Sequence, residues 1–133
     1  MLKITLSTIL LALMLVLTSS AEDHISILPL PVSMKTTGEK SFQITDKTPI
    51  IIEATPEAKK SILSYAKENL PRLKTVGQVS AENPPIVFSL VEKLDNIDSE
   101  EGYQLIVTPE KIEIKASGEA GLFYGLITLI QLA

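Results

Sequence analysis

The chain has 133 residues, 12 of them basic and 16 acidic, for a net charge of −4, and it contains no cysteine. That length suits one domain with a modest core, and the acidic balance argues against nucleic acid and anionic membranes as partners while saying nothing against a neutral substrate such as a sugar. Without cysteine the core must hold itself together by burial, which suits a bacterial periplasmic or surface protein better than a disulfide-rich secreted domain.

Residues 1–21 read as a secretory signal peptide. Lys3 supplies the positive start, Ile4 to Leu17 form an apolar stretch broken only by Thr5, Ser7 and Thr8, and Ser19-Ser20-Ala21 places small residues at the cleavage point. The apolar run is shorter than the ~20 residues of a membrane span, and no cysteine is present for lipoprotein anchoring. The expectation is a secreted or periplasmic protein, with no membrane attachment after cleavage. Residues 22–133 then form one domain, with eleven basic residues against sixteen acidic ones, a net charge of −5.

Ile25 to Val32 is an extended entry segment in which Pro29 and Pro31 forbid central-strand pairing. A polar turn containing Gly38 leads to a short strand predicted at Ser41 to Thr45. Asp46-Lys47 connects it to a second strand, Thr48 to Glu53, so that the two read as a hairpin. Thr55-Pro56-Glu57 is a helix start: a capping hydroxyl, a proline at the first helical position, and an acid at the positive end of the dipole. Ala58, Ile62, Tyr65, Ala66 and Leu70 lay an apolar stripe along that helix, Lys59, Lys60 and Lys67 face water, and Pro71 ends it.

A polar linker, Arg72 to Asn83, leads through Pro84-Pro85 to a strand at Ile86 to Val91, and Asp95 to Glu101 form an acidic loop. Strands at Tyr103 to Val107 and Lys111 to Ala116 meet at a Thr108-Pro109-Glu110 turn and run into a helix studded with Gly118, Gly121 and Gly125. Leu122, Phe123, Leu126, Ile127, Leu129 and Ile130 go right around that helix, so one small sheet can cover only part of it, and leaving the rest in water costs ~25 cal/mol per Å². The chain therefore reads as the first part of something longer. The order of elements predicts an α+β fold: a small mixed or antiparallel sheet with two helices packed on one face.

Asp95, Asp98, Glu100 and Glu101 lack the alternating spacing that aims oxygens at a calcium ion, and acids on an exposed loop have no cleft to raise one carboxyl's pKa for acid/base work. The loop reads as solvated. Gly118, Gly121 and Gly125 match neither the dinucleotide fingerprint nor the phosphate-loop motif with its lysine. Gly121 and Gly125, four apart, read instead as a face that lets the helix lie close against a strand. The only histidine, His24, lies three residues past the cleavage point, in a segment expected to fray, and supports neither a zinc site nor a Ser-His-Asp arrangement. No catalytic, cofactor-binding or metal-ligating residue is assigned, and no cofactor is implied.

The ILPLPVSM entry at Ile27 to Met34, the EEGYQLIV strand at Glu100 to Val107, the KIEIKASGEAGLFYGLITLIQL block at Lys111 to Leu132 and the helix between them together resemble the N-terminal domain of glycoside hydrolase family 20, the β-N-acetylhexosaminidases. The resemblance implies a small α+β domain preceding a TIM-barrel catalytic domain. That parent enzyme removes terminal N-acetylhexosamine from glycans with retention, by substrate-assisted chemistry: the 2-acetamido carbonyl attacks the anomeric carbon, a glutamic acid protonates the leaving oxygen, and a neighbouring aspartate holds the acetamido group. The Asp-Glu pair belongs to the barrel, so no position here matches it, and the chain alone is expected to be inactive. Its expected partners are the barrel and, through it, the glycan. A family 84-type O-GlcNAc hydrolase domain and a free-standing secreted binding module are the alternatives. The second is weakened by the lack of tryptophan and by Tyr65, Tyr103 and Phe123 falling on predicted core faces.

Overall fold

Lys111-Ile-Glu-Ile-Lys-Ala116 alternates charged and small or branched apolar residues with a period of two, which in a strand sends every second side chain to one face. Ile112, Ile114 and Ala116 are accordingly buried, while Lys111, Glu113 and Lys115 turn to the other side. The computed structural model describes residues 27, 32, 33, 35, 41–70, 72, 73, 79, 80 and 82–133. The predicted signal peptide, His24 and most of the entry segment lie outside the described residues. In chain order the elements are β1 (Ile50–Glu53), α1 (Pro56–Asn69), β2 (Ile86–Leu90), β3 (Tyr103–Thr108), β4 (Lys111–Ala116) and α2 (Glu119–Leu132).

Among the described residues four strands form one mixed sheet in the order β1-β2-β4-β3, with β1, β2 and β4 mutually parallel and β3 antiparallel to β4. Both helices pack on the same face, α1 over β1 and α2 over β2, β4 and β3, and they touch each other. This is the α+β architecture expected. Ile86, Phe88, Ile114, Leu122 and Leu126 are fully enclosed between the layers, and Ile62, Ala66 and Leu70 close the core from α1. Each large apolar side chain so enclosed is worth about 1.5–3 kcal/mol relative to exposure.

The helix starts follow from their caps. Thr55 is extended, accepts from the Ala58 amide at 3.2 Å, and hands over to Pro56 and Glu57. The predicted stripe is the one that faces the sheet: Ala58, Ile62 and Ala66 are buried and Tyr65 half-buried, with Lys59, Lys60 and Lys67 exposed.

The predicted hairpin of 41–45 with 48–53 does not form. Residues 41–45 make no ladder, β1 begins only at Ile50, and its partner is β2 in a parallel register, Ile50 beside Ile86 through Glu53 beside Ser89. The Asp46-Lys47 turn itself is real: the Thr48 amide donates to the Thr45 carbonyl at 3.2 Å, and the Thr45 amide donates to the buried Thr48 hydroxyl at 2.8 Å. What differs is where the arm goes. Phe42 and Ile44 pack on the core beside the C-terminal ends of both helices, so their alternation serves to cover the end of the core rather than to extend the sheet.

Candidate functional site

Helix α2 has no side-chain cap of its own; Gly118 occupies the capping position with extended backbone. Its first turn is held by other parts of the chain. The Gly121 amide donates to the Glu100 carbonyl at 3.1 Å, and the Thr55 hydroxyl donates to the Glu119 carboxylate at 2.5 Å, tying the starts of the two helices together across 64 residues of sequence. Farther along, Tyr103 of β3 and Thr128 share a hydrogen bond of 2.5 Å, which satisfies the polar group of the otherwise buried Thr128. The rings of Tyr65 and Phe123 meet at 5.1 Å with a tilt of 59°, joining α1 to α2. Nothing in local sequence flags these pairs, because each joins elements far apart in the chain.

The glycine face is a close-packing face. A Cβ at position 125 would stand 2.5 Å from Ile114 Cγ2 of β4, as the expected helix-to-strand contact requires. Gly121 is tighter still. A Cβ there would stand 2.3 Å from the Gly102 carbonyl oxygen and 2.8 Å from Ala116 Cβ, so this glycine seats the helix against the acidic loop as well as against a strand.

That loop places its carboxylates outward. Asp95, Asp98, Glu100 and Glu101 are all exposed, and Asp98 pairs with Lys93 at 3.3 Å, in water. Its fold comes from backbone and apolar contacts: Leu94 is buried and bridged to Ile97, and Asn96 turns the chain with a left-handed φ of 61°. Among the described residues no group of three or more His, Asp or Glu side chains converges to hold a metal ion. On the face of the sheet away from the helices, Glu113 accepts from Lys111 at 3.0 Å and lies 3.1 Å from Lys115. The Lys111 hydrogen bond first, and then that to Lys115, hold its carboxyl below its ordinary value.

The distinctive surface is the outward side of the helix layer, and it is lopsided. On α1 the outward positions are polar, with Lys59, Lys60, Ser64 and Lys67 exposed. On α2 the outward positions between Glu119 at its start and Gln131 near its end, both exposed, are apolar: Ala120 and Tyr124 are exposed, and Phe123, Ile127 and Ile130 are only half-buried. The all-round apolar character of this helix thus divides into a sheet-facing side, a side against α1, and a remainder open to solvent. At the C-terminal ends of the helices an open cleft of about 550 Å³ adds to it, floored by Phe42, Ile44, Leu70, Leu129 and Leu132 with Arg72 at its rim. The arrangement offers contact surface, and the acids stand apart from it.

Residues 24–133 match the family described as glycosyl hydrolase family 20, domain 2. A β-N-acetylhexosaminidase of Cellulomonas fimi is 27% identical over 110 residues, which cover 80% of this chain and 22% of that protein. The family 20 exo-β-N-acetylglucosaminidase of Vibrio harveyi, solved with N-acetylglucosamine, superposes with a TM-score of 0.59 at 25% identity over 80% of this chain and 16% of its own. The β-N-acetylhexosaminidase of Bacteroides fragilis NCTC 9343 gives 0.61 at 24% identity, over 79% and 20%, a likeness of fold. The chain thus spans about a fifth of the length of these relatives.

Proposed function

The chain belongs to glycosyl hydrolase family 20, as its domain 2, and from that premise we propose that it is the non-catalytic leading domain of an exported β-N-acetylhexosaminidase. In this reading residues 1–21 direct export to the periplasm or cell exterior and are removed, and residues 22–133 buttress a catalytic barrel that follows them. Removal of terminal N-acetylhexosamine from glycans is the work of that barrel. The named relatives, which are four to six times as long as the matched segment, support placing it beside a larger catalytic part. None of them favours the family 84 alternative.

The observation that carries the proposal is the lopsided helix layer. A soluble domain working alone gains nothing by leaving Tyr124 exposed and Phe123, Ile127 and Ile130 half-covered along one helix, when the neighbouring helix shows water lysines and serine. An apolar stripe next to a polar one suits a partner that covers α2 and leaves α1 wet. The test is hydrolysis of a chromogenic N-acetylglucosaminide by two products: the 133-residue chain, and the longer product obtained by reading the coding DNA past Ala133. Turnover confined to a longer product that carries a barrel is the expected result; turnover by the 133-residue chain itself would overturn the non-catalytic assignment.

A further inference from the structure

The two outer strands of the sheet are unlike one another. β1 is four residues long, ends in Glu53 and is entered through Pro49, features that discourage another strand from adding to it. β3 is six residues long, Tyr-Gln-Leu-Ile-Val-Thr, with no charge and no proline, and it pairs with β4 in unbroken register from Tyr103 to Thr108 without a bulge. Among the described residues β4 is its only strand neighbour. Two large apolar side chains of this strand are exposed: Ile106 (38%) on the face away from the helices and Val107 (45%) on the helix side. A long, uncharged, apolar edge of this kind is a template for pairing.

We propose that β3 pairs antiparallel with β3 of a second copy of this chain, about a two-fold axis passing through Ile106. The proposal stands apart from the hexosaminidase reading. The strand complements itself in this register. Ile106 faces its own copy, Leu105 lies across from Val107 on the helix side, and Gln104 lies across from Thr108 on the open side, so apolar meets apolar and polar meets polar. Other axes are worse. One through Leu105 sets Gln104 against Ile106 and Glu100 against Glu110, and one through Val107 sets Ile106 against Thr108. The pairing joins two four-stranded sheets into a continuous one and satisfies the outward backbone groups of β3.

The absence of cysteine makes the test clean. Residues on the axis lie with Cα atoms about 4.5–5.5 Å apart, within the 4.4–6.8 Å that a disulfide spans. Residue 104 and its copy, each two positions from the axis, are about 13 Å apart. The full chain carrying Ile106→Cys is expected to run as a covalent dimer on a non-reducing gel after mild oxidation, in at least tenfold higher yield than Gln104→Cys. An equimolar mixture of Gln104→Cys and Thr108→Cys chains, which the axis brings together, is expected to cross-link where Gln104→Cys alone does not. Monomeric Ile106→Cys, or equal cross-linking of Ile106→Cys and Gln104→Cys, would overturn the two-fold.

Discussion

Replacing Gly121 by alanine sets two opposing effects against each other. Alanine favours the helix by up to ~1 kcal/mol over glycine. The added methyl, however, would stand 2.3 Å from the Gly102 carbonyl oxygen, 2.8 Å from Ala116 Cβ and 3.1 Å from the Glu100 carbonyl oxygen. None of the three can rotate away, since two are backbone and the third is a Cβ. Relief requires the start of α2 to lift from the sheet, which stretches the 3.1 Å bond between the Gly121 amide and the Glu100 carbonyl. Overpacking of this kind costs about 1–3 kcal/mol, and the rigidity of these neighbours puts it at the upper end. The loosened hydrogen bond costs about 1 kcal/mol more. After the helix gain is subtracted, a net loss of roughly 2–3 kcal/mol remains. With an unfolding entropy near 2.1 cal/mol/K per residue, 2 kcal/mol lowers the Tm of a domain of about 110 residues by about 9 °C. Thermal unfolding followed by far-ultraviolet circular dichroism is the assay. A Gly121→Ala protein that melts at or above the temperature of the parent would refute the claim that α2 is seated on the carbonyls of residues 100–102.

Thr128→Val and Tyr103→Phe should each cost about 1 kcal/mol, and together scarcely more than one alone, because both remove the same 2.5 Å hydrogen bond. Strictly additive losses in a urea double-mutant cycle would show that the two hydroxyls do not act as a pair. Glu113 makes a prediction about pH. Its folded-state pKa lies below the ordinary 4.5, so its contribution to stability is present above that value and is lost as pH falls from 4.5 through the lower folded value. The urea midpoint of Glu113→Gln should therefore fall less steeply than that of the parent in this acid window; parallel slopes would mean that Lys111 and Lys115 do not hold the carboxylate in solution.

Where a single element contains its own instructions, the sequence is legible. The alternation of Lys111 to Ala116, the Thr55-Pro56-Glu57 start and the stripe from Ala58 to Leu70 each state locally which side is wet, and the fold uses them as written. Pairing is another matter. The alternation at Ser41 to Thr45 is as good a strand signal as that of β4, but an apolar pair such as Phe42 and Ile44 fits the end of a core as well as a sheet face, and only the rest of the molecule decides. The parallel partnership of β1 with β2 is hidden for the same reason, since it depends on α1 crossing between them. The closeness of Gly125 to a strand follows from its four-residue spacing from Gly121. The role of Gly121 as a seat for the loop does not, because the loop carbonyls it meets advertise nothing in their side chains. The exposed stripe on α2 was foreshadowed by an apolar circumference too wide for one small sheet.

The bond between Thr55 and Glu119 bears on the order in which the domain assembles. The segment from Tyr103 to Leu132 is a hairpin followed directly by the helix that covers it, so its contacts close over short stretches of chain and should form early. Apart from each other, β1 and α1, although made first, meet their partners only across long stretches of chain: β2 more than thirty residues on, and α2 later still. A ribosome thus delivers the domain in the reverse of the order in which it can close. The part of the α1 stripe that meets α2 stays unclaimed until α2 has been synthesised, and in that interval the N-terminal half is the part most in need of a chaperone.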